Sequence, residues 1–322
     1  MAAPADTYQA RFGRRWGHLA QPHVRALAWL LDAPDLLDPH DPHWEGKIAS
    51  LGVLSPDTGA WLTALDADPA PLLAALGTRV YTRLGLYAEK LMAFYFREQD
   101  QLVAHGLQVR ASRNDTVGEF DFLLDAGHDG LEHIEFATKF YLLEGAAASR
   151  FDTFVGPNLA DSLGAKMRKI FDKQLALGSH QASQAMLARP VTRARALVKG
   201  WLFYPAFSAG GQSMDGISNQ HCRGFWCALD EVTRLEADAF VVLPRLQWLA
   251  PYRGRGDDDV LGKAALQARL AAQFATVPMP VLVASVREEQ GSVIETGRGF
   301  IVPDDWRAKA AFRQKMMAET RL

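Results

Sequence analysis

Two carboxylates and an amine stand among apolar residues in two strand-like segments of this chain. These are Gly118-Glu119-Phe120-Asp121-Phe122-Leu123-Leu124 and, after a short turn, His133-Ile134-Glu135-Phe136-Ala137-Thr138-Lys139-Phe140-Tyr141-Leu142. Strands bury alternate residues and an ionised group is costly to bury alone, so Asp121, Glu135 and Lys139 are candidates for one shared polar site. A hard divalent cation, Mg2+ or Mn2+, takes carboxylate oxygens and keeps several waters, so Asp121 and Glu135 with a backbone carbonyl meet its needs. A lysine beside them would orient or help deprotonate water and offset charge on a phosphate under attack, the logic of metal-assisted phosphodiester hydrolysis. Residues 135, 137 and 139 share a strand face, yet Glu135 and Lys139 lie about 13 Å apart along it, so the lysine has to lean back. The alternative is a charge network on a half-solvated sheet face, which is common and energetically weak.

Further candidates surround this pair. Glu89 is a second acid that a preceding helix would bring to the metal, or else a helix-face charge pairing with Arg83 or Arg97. Glu119 shares the face of Asp121 as an accessory ligand of second choice. Gln174 lies on a later helix with Lys166, Arg168, Lys169 and Lys173, a basic face suited to a phosphate backbone or simply solvated. Lys199 is an alternative source of the amine, although Trp201 and Phe203 share its face and would cover its stem. His221, Cys222 and Cys227 invite a zinc reading, but zinc needs four ligands, and free cysteines are more often small core residues. Arg245 and Trp248 would contact a phosphate and stack on a base, or else belong to the core.

The elements that must position these groups follow from periodicity. Apolar positions at helical spacing between His23 and Leu76, interrupted by Pro34, Pro39, Pro42, Pro56 and Pro69, predict a small helical region, and a longer helix is expected from Leu76 to Glu98. Strand periodicity follows over Leu107–Arg110, Phe120–Leu124 and His133–Leu143, with turns at Asn114-Asp115 and Gly127–Gly130, a three-stranded meander. Asp161 or Ser162 would cap a helix running to Leu177, and Ala194–Tyr204 reads as a strand closed by Pro205 and a loop with Gly210, Gly211 and Gly216. Beyond it, Gly224–Leu235 is expected to be helical, Phe240–Leu249 strand-like, Leu261–Ala275 helical, and Val281–Val286 and Gly299–Val302 late strands.

The 322 residues, 48% hydrophobic and 22% charged, are enough for a substantial core, and a formal net charge of -2 provides no global field for nucleic acid. Two cysteines exclude a disulfide framework, and Arg11, Arg14, Arg15 and Trp16 stand where a signal peptide needs an apolar run, so a cytoplasmic location is expected. Apolar stretches fall short of the ~20 residues of a membrane span. The absence of a P-loop, a dinucleotide-binding glycine pattern or a Gly-x-Ser-x-Gly elbow argues against nucleotide-driven and serine-hydrolase classes and against a nucleotide cofactor.

The helix with Glu89, the strand with Asp121, the strand with Glu135 and Lys139, and the helix-then-strand unit after it resemble the core of the PD-(D/E)XK nuclease-like superfamily. That resemblance implies an acid on the second strand and an acid followed by lysine on the third, helped by a glutamate from the preceding helix: Asp121, Glu135, Lys139 and Glu89. The family places its lysine two residues after the acid, where this chain has Ala137, so Lys139 would be a displaced substitute. The whole chain also resembles a bacterial family of unknown function, through Gly118-Glu119-Phe120-Asp121, Glu135–Tyr141, Gly156-Pro157-Asn158, Lys199–Phe203 and Leu243–Leu249. The expectation is an α/β fold, a central mixed β-sheet flanked by helices with a restriction-endonuclease-like core at 76–205, a helical extension at 1–75 and an elaboration at 206–322. Asp121, Glu135 and Glu89 would hold magnesium or manganese, Lys139 would position water, and Lys166, Lys169, Lys199 and Gln174 would meet DNA or RNA. The alternative is a non-catalytic nucleic-acid-binding or protein-interaction module on the same fold; ammonium groups of Lys139 and Lys199 both remote from the Asp121 and Glu135 carboxylates would count against catalysis by this mechanism and favour the module.

Overall fold

A computed structural model describes residues 7–78, 80–112, 115–145, 150–208, 214–256 and 258–319. Asn114, Gly210 and Gly211, read above as turn or loop residues, lie outside them. Helices come first: α1 (Tyr8–Trp16), α2 (Pro22–Asp32), α3 (Pro56–Ala67), α4 (Ala70–Leu76) and α5 (Leu84–Glu98). Pro22 and Pro56 start helices rather than break them, since a first-turn residue has no intrahelical use for its N–H. The long helix expected from Leu76 begins only at Leu84.

The meander follows as β1 (Leu102–Ser112), β2 (Asp115–Asp125) and β3 (Leu131–Leu143), antiparallel in that order. After the short β4 (Phe154–Val155) come α6 (Leu163–Lys169), α7 (Gln181–Met186) and β5 (Val191–Pro205). β5 runs parallel to β3 from Leu131↔Val191 to Leu142↔Phe203. Both strands are buried on both faces, which is why they read as near-continuous apolar runs.

The chain continues as β6 (Cys222–Ala228), β7 (Ala239–Val242), β8 (Arg253–Arg255), β9 (Leu261–Gly262), α8 (Lys263–Thr276), β10 (Val281–Glu289), β11 (Ser292–Val302) and α9 (Trp306–Glu319). Among the described residues one mixed eleven-stranded sheet results, in the order β1-β2-β3-β5-β6-β11-β10-β7-β9, with β4 on β3 and β8 on β11. The fold is thus α/β, with a large central mixed sheet flanked by helices. The segment after residue 205 contributes six strands to this same sheet, because β6 pairs directly with β5.

Two expectations are corrected here. Gly224–Leu235 is not a helix: β6 occupies Cys222–Ala228 and a 3-10 turn takes Leu229–Arg234. Cys222 and Trp226 pack on one face while Phe225 and Cys227 pack on the other, a pattern that a doubly buried strand shares with a buried helix. The run Phe240–Leu249 is a strand only to Val242, and Arg245–Gln247 form a 3-10 turn.

Helices α1, α2 and α5 cover one face of the sheet through Phe12, Trp29, Phe96, Phe122, Trp201 and Phe203, and α6 covers the other through Met167 against Ala137, Tyr141, Val198 and Leu202. Strand β5 leans on β3 most closely at Gly200, opposite Lys139, where a Cβ would meet the Lys139 carbonyl oxygen at 1.9 Å. No side-chain rotation relieves a clash with backbone. Gly200→Ala is therefore expected to cost about 2–3 kcal/mol, read as a lowered midpoint in thermal or urea unfolding; an unchanged midpoint would contradict this packing.

Candidate active site

The ladder between β2 and β3 runs from Asp125↔Leu131 to Phe122↔Ile134. Beyond Phe122 the Asp121 side chain takes over from the strand, its Oδ2 accepting from the backbone N–H of Phe136 at 2.9 Å. Glu135, beside it on β3, is only 1% exposed. The Ser162 hydroxyl caps α6 by accepting from the Ala165 N–H at 3.1 Å, which aims Lys166 at the sheet. Lys166 Nζ stands 3.7 Å from Glu135 Oε1 and donates to Gln174 Oε1 at 3.2 Å. The Gln174 amide in turn donates to Glu135 Oε1.

Eight residues along a straight α-helix are about 80° apart around its axis, so Lys166 and Gln174 would diverge. A π-helical turn at Ile170–Gln174 widens the helix and swings Gln174 back toward Glu135. Such turns concentrate at functional sites. Continuous 3.6-residue spacing, which the sequence alone suggests for this segment, does not reveal it.

The electrostatics of the pocket are dominated by burial. Desolvation, partly offset by the Phe136 N–H, pushes the Asp121 carboxyl up to about 6, with Glu89 adding repulsion. Desolvation and then the charge of Asp121 push Glu135 up to about 8, despite the attraction of Lys166. Burial lowers the Lys166 ammonium from its ordinary value, and Glu135 only partly restores it. All three shifts favour neutral groups in a buried cluster. His133, two residues before Glu135 on the same strand face, was not singled out from sequence. It is fully buried, its Nε2 lies 3.9 Å from Glu135 Oε2, and burial lowers its imidazole to about 4. Neither of its ring nitrogens nor Glu135 Oε2 has a hydrogen-bond partner among the described residues. Its period-two spacing from Glu135 was the available signal.

Other expected site residues are placed differently. Glu89 bonds neither Arg83 nor Arg97; its Oε1 meets His105 Nε2 from β1 at 2.8 Å, and its charge still reaches both carboxyls. Glu119 is exposed and accepts from Gln108 at 3.3 Å. Lys139 is corrected: it lies farther along β3, 3.3 Å from Asp161 and over the Tyr141 ring. The position nearer Glu135 belongs to Ala137, 5% exposed and packed beneath Met167 and Ile170 of the covering helix, where a lysine would not fit. Lys199 is corrected as well, since it pairs in register with Thr138 and so points to the opposite sheet face from Glu135. There it donates to the Ala33 carbonyl at 2.6 Å and to Asp35 at 2.8 Å. Lys169 is exposed on the outer side of α6.

His221 is engaged by the Tyr204 hydroxyl at 2.8 Å and by the Ser218 carbonyl, and Cys222 and Cys227 are buried free thiols whose values burial raises to about 12. Trp248 packs against Phe140 and Phe300, so it serves the core rather than a base.

Among the described residues no three His, Cys, Asp or Glu side chains gather closely enough to hold a metal together. The donors that do meet are two carboxylates that repel each other, one with an oxygen lacking a partner. A hard cation relieves both conditions. Asp121 and Glu135 are the residues here that could share a hard cation, which takes carboxylate oxygens and fills its remaining positions with water.

Fold and site together define an α/β protein with a buried acid–lysine pocket on one face of a mixed sheet. The chain matches the family described as Domain of unknown function (DUF1853) over residues 25–302, and it belongs to that family. No curated protein and no solved structure matches it. Among the described residues no helix is long and apolar enough to cross a membrane.

The raised carboxyl values set the sign of the pH dependence. Folded protein holds more protons than unfolded chain from roughly pH 4, the ordinary carboxylate value, to about pH 8, so this pocket's contribution to stability falls as pH rises through that window. Glu135→Gln, which mimics the protonated acid, is expected to lose less stability than the parent between the two ends, by on the order of 2 kcal/mol. Urea unfolding at a series of pH values reads this directly; parallel curves for the two proteins would rule it out.

Proposed function

We propose that the segment from α5 to β5 is a nuclease-like core and that the Asp121–Glu135–Lys166 pocket hydrolyses phosphodiester bonds in DNA or RNA with a divalent cation. One observation carries the proposal: Lys166 reaches a buried carboxylate pair from α6, supplying the amine that position 137 lacks. Asp121 and Glu135 would hold magnesium or manganese, with Glu89 beside them. A bound ion would supply Lewis acidity toward a phosphodiester oxygen.

The remaining roles belong to the chain. Desolvation makes the Lys166 amine easier to deprotonate, so it can accept a proton from an attacking water as the new P–O bond forms and the bond to the leaving oxygen breaks. Solvent returns a proton to the leaving oxygen. Gln174 holds both Lys166 and Glu135, which fixes their separation before substrate arrives. His105 restrains Glu89.

Catalysis through Lys139 or Lys199 is withdrawn, because both ammonium groups are spent elsewhere. Their dispersal favours a second reading, a nucleic-acid-binding or protein-interaction module without turnover, whereas the burial of Lys166 favours chemistry. Cleavage assays on single-stranded, duplex and branched nucleic acids, with magnesium or manganese titrated in, separate the two. Asp121→Asn, Glu135→Gln and Lys166→Ala are each expected to lower cleavage by about 100-fold or more, while Lys139→Ala stays near the parent rate. Cleavage unchanged in Asp121→Ala and Glu135→Ala would sink the proposal, and binding with no turnover would select the second reading.

The cation has its own test. Manganese is expected to raise the melting temperature of the parent at neutral pH and to leave Glu135→Gln nearly unmoved, a readout independent of any substrate. An equal rise in both proteins would place the ion elsewhere.

A further inference from the structure

Away from the carboxylate pocket, a cleft of about 630 Å³ opens between α1, the loop leading into β8, and the turn joining β10 to β11. That volume lies in the range of small-molecule sites, roughly 300–1,000 Å³. Four arginines from four different elements line it: Arg14 of α1, Arg25 of α2, Arg253 of β8 and Arg287 of β10. The acids on its wall are Glu289 and Glu295.

Both acids are already balanced. Glu289 pairs with Arg287 at 2.6 Å. Glu295 pairs at 2.7 Å with Arg298, which is fully buried behind the wall, and its other contacts are the Gln9 amide and the Tyr252 N–H. Arg25 and Arg253 have no carboxylate partner among the described residues. Arg25 is only 8% exposed, and its guanidinium donates to the carbonyls of Trp16, Leu19 and Pro251 at 3.3, 3.3 and 2.9 Å. Those three bonds use three of its five N–H donors and cancel none of its charge. Burial first, and then the repulsion of Arg253, lower Arg25 to about 10, with Glu295 and Asp66 opposing.

A charged side chain is seldom buried without a bonded counter-charge, and here Glu295 and Asp66 attract Arg25 without pairing with it, while Arg253, of like sign, lines the same cleft. We propose that this cleft is a second binding site, for a phosphate-bearing anion of nucleotide size. Arginine forks match carboxylate and phosphate oxygens alike, but a single carboxylate brings one negative charge to Arg25 and Arg253, whereas a phosphate monoester brings about two at neutral pH. The walls give that anion donors on several sides, and the cleft leaves room for more than the phosphate group.

Titration calorimetry at low ionic strength with inorganic pyrophosphate, adenosine monophosphate and adenosine tests this. Pyrophosphate or adenosine monophosphate is expected to bind and adenosine is not; stronger binding of the nucleotide identifies a nucleotide ligand, and stronger binding of pyrophosphate a free phosphate. Arg253→Gln and Ser292→Glu, both at solvent-accessible positions of the cleft, are expected to weaken binding by about tenfold or more, with melting temperatures confirming that each variant folds. Glu135→Gln is expected to bind as the parent does. No binding of either phosphate probe, binding unchanged in both cleft variants, or binding changed by Glu135→Gln alone would overturn the proposal.

Discussion

The burial of Glu135 is the constraint from which the rest of this site follows. A carboxylate in the middle of a sheet, on a strand between β2 and β5, is shielded from bulk solvent. Its surroundings answer with Gln174 and Lys166 from the covering helix, yet Asp121 stands close enough to repel it. Charge attraction is outweighed by desolvation in this pocket, so the acids are held toward protonation and the amine toward neutrality. A group poised in this way can exchange protons near neutral pH.

That arrangement depends on how rigidly β3 is held. The parallel β3–β5 pairing, with backbone packed on backbone at Gly200, fixes the strand that carries His133 and Glu135. On the opposite sheet face Lys199 is locked to Asp35, and Trp201 stacks on Trp29 beneath the Arg298 guanidinium. Arg298 also gathers the carbonyls of Trp248, Leu249 and Ala250, which ties the Leu243–Leu249 segment to the sheet. Segments that stand out in the sequence, Lys199–Phe203 and Leu243–Leu249, are thus mainly structural, and they support the site from behind. A lysine or an aromatic residue in such a motif looks the same in sequence whether it serves a ligand or the core.

Much of the site was legible because strands impose a period of two. Asp121 and Glu135 were identified as acids out of place among apolar neighbours, and the order of helix, three strands, helix and strand was read from the same periodicity. The amine that stands nearest Glu135 was not legible, for a physical reason. Proximity on one strand made Lys139 the obvious partner, but a residue four positions along a strand is too far away, whereas Lys166 arrives from another element. Lys166 and Gln174 were both noted as members of a basic helix face; their contact with Glu135 rests on a cap at Ser162 and a π-helical turn, neither of which has a distinctive spacing. The failure at Gly224–Leu235 has a related cause, since a strand buried on both faces carries no alternation to distinguish it from a helix.

The sequence by itself determined the composition of the site's first two members, the element order that presents them, and the α/β class, because these depend on local periodicity and on the cost of placing charge among apolar residues. Tertiary structure alone decided which amine faces the acids, that His133 stands beside Glu135 and His105 beside Glu89, and that four distant arginines share one cleft. These outcomes depend on which face of the sheet each element covers, and that is set by packing between segments far apart in the chain. Local residue patterns carry no record of it.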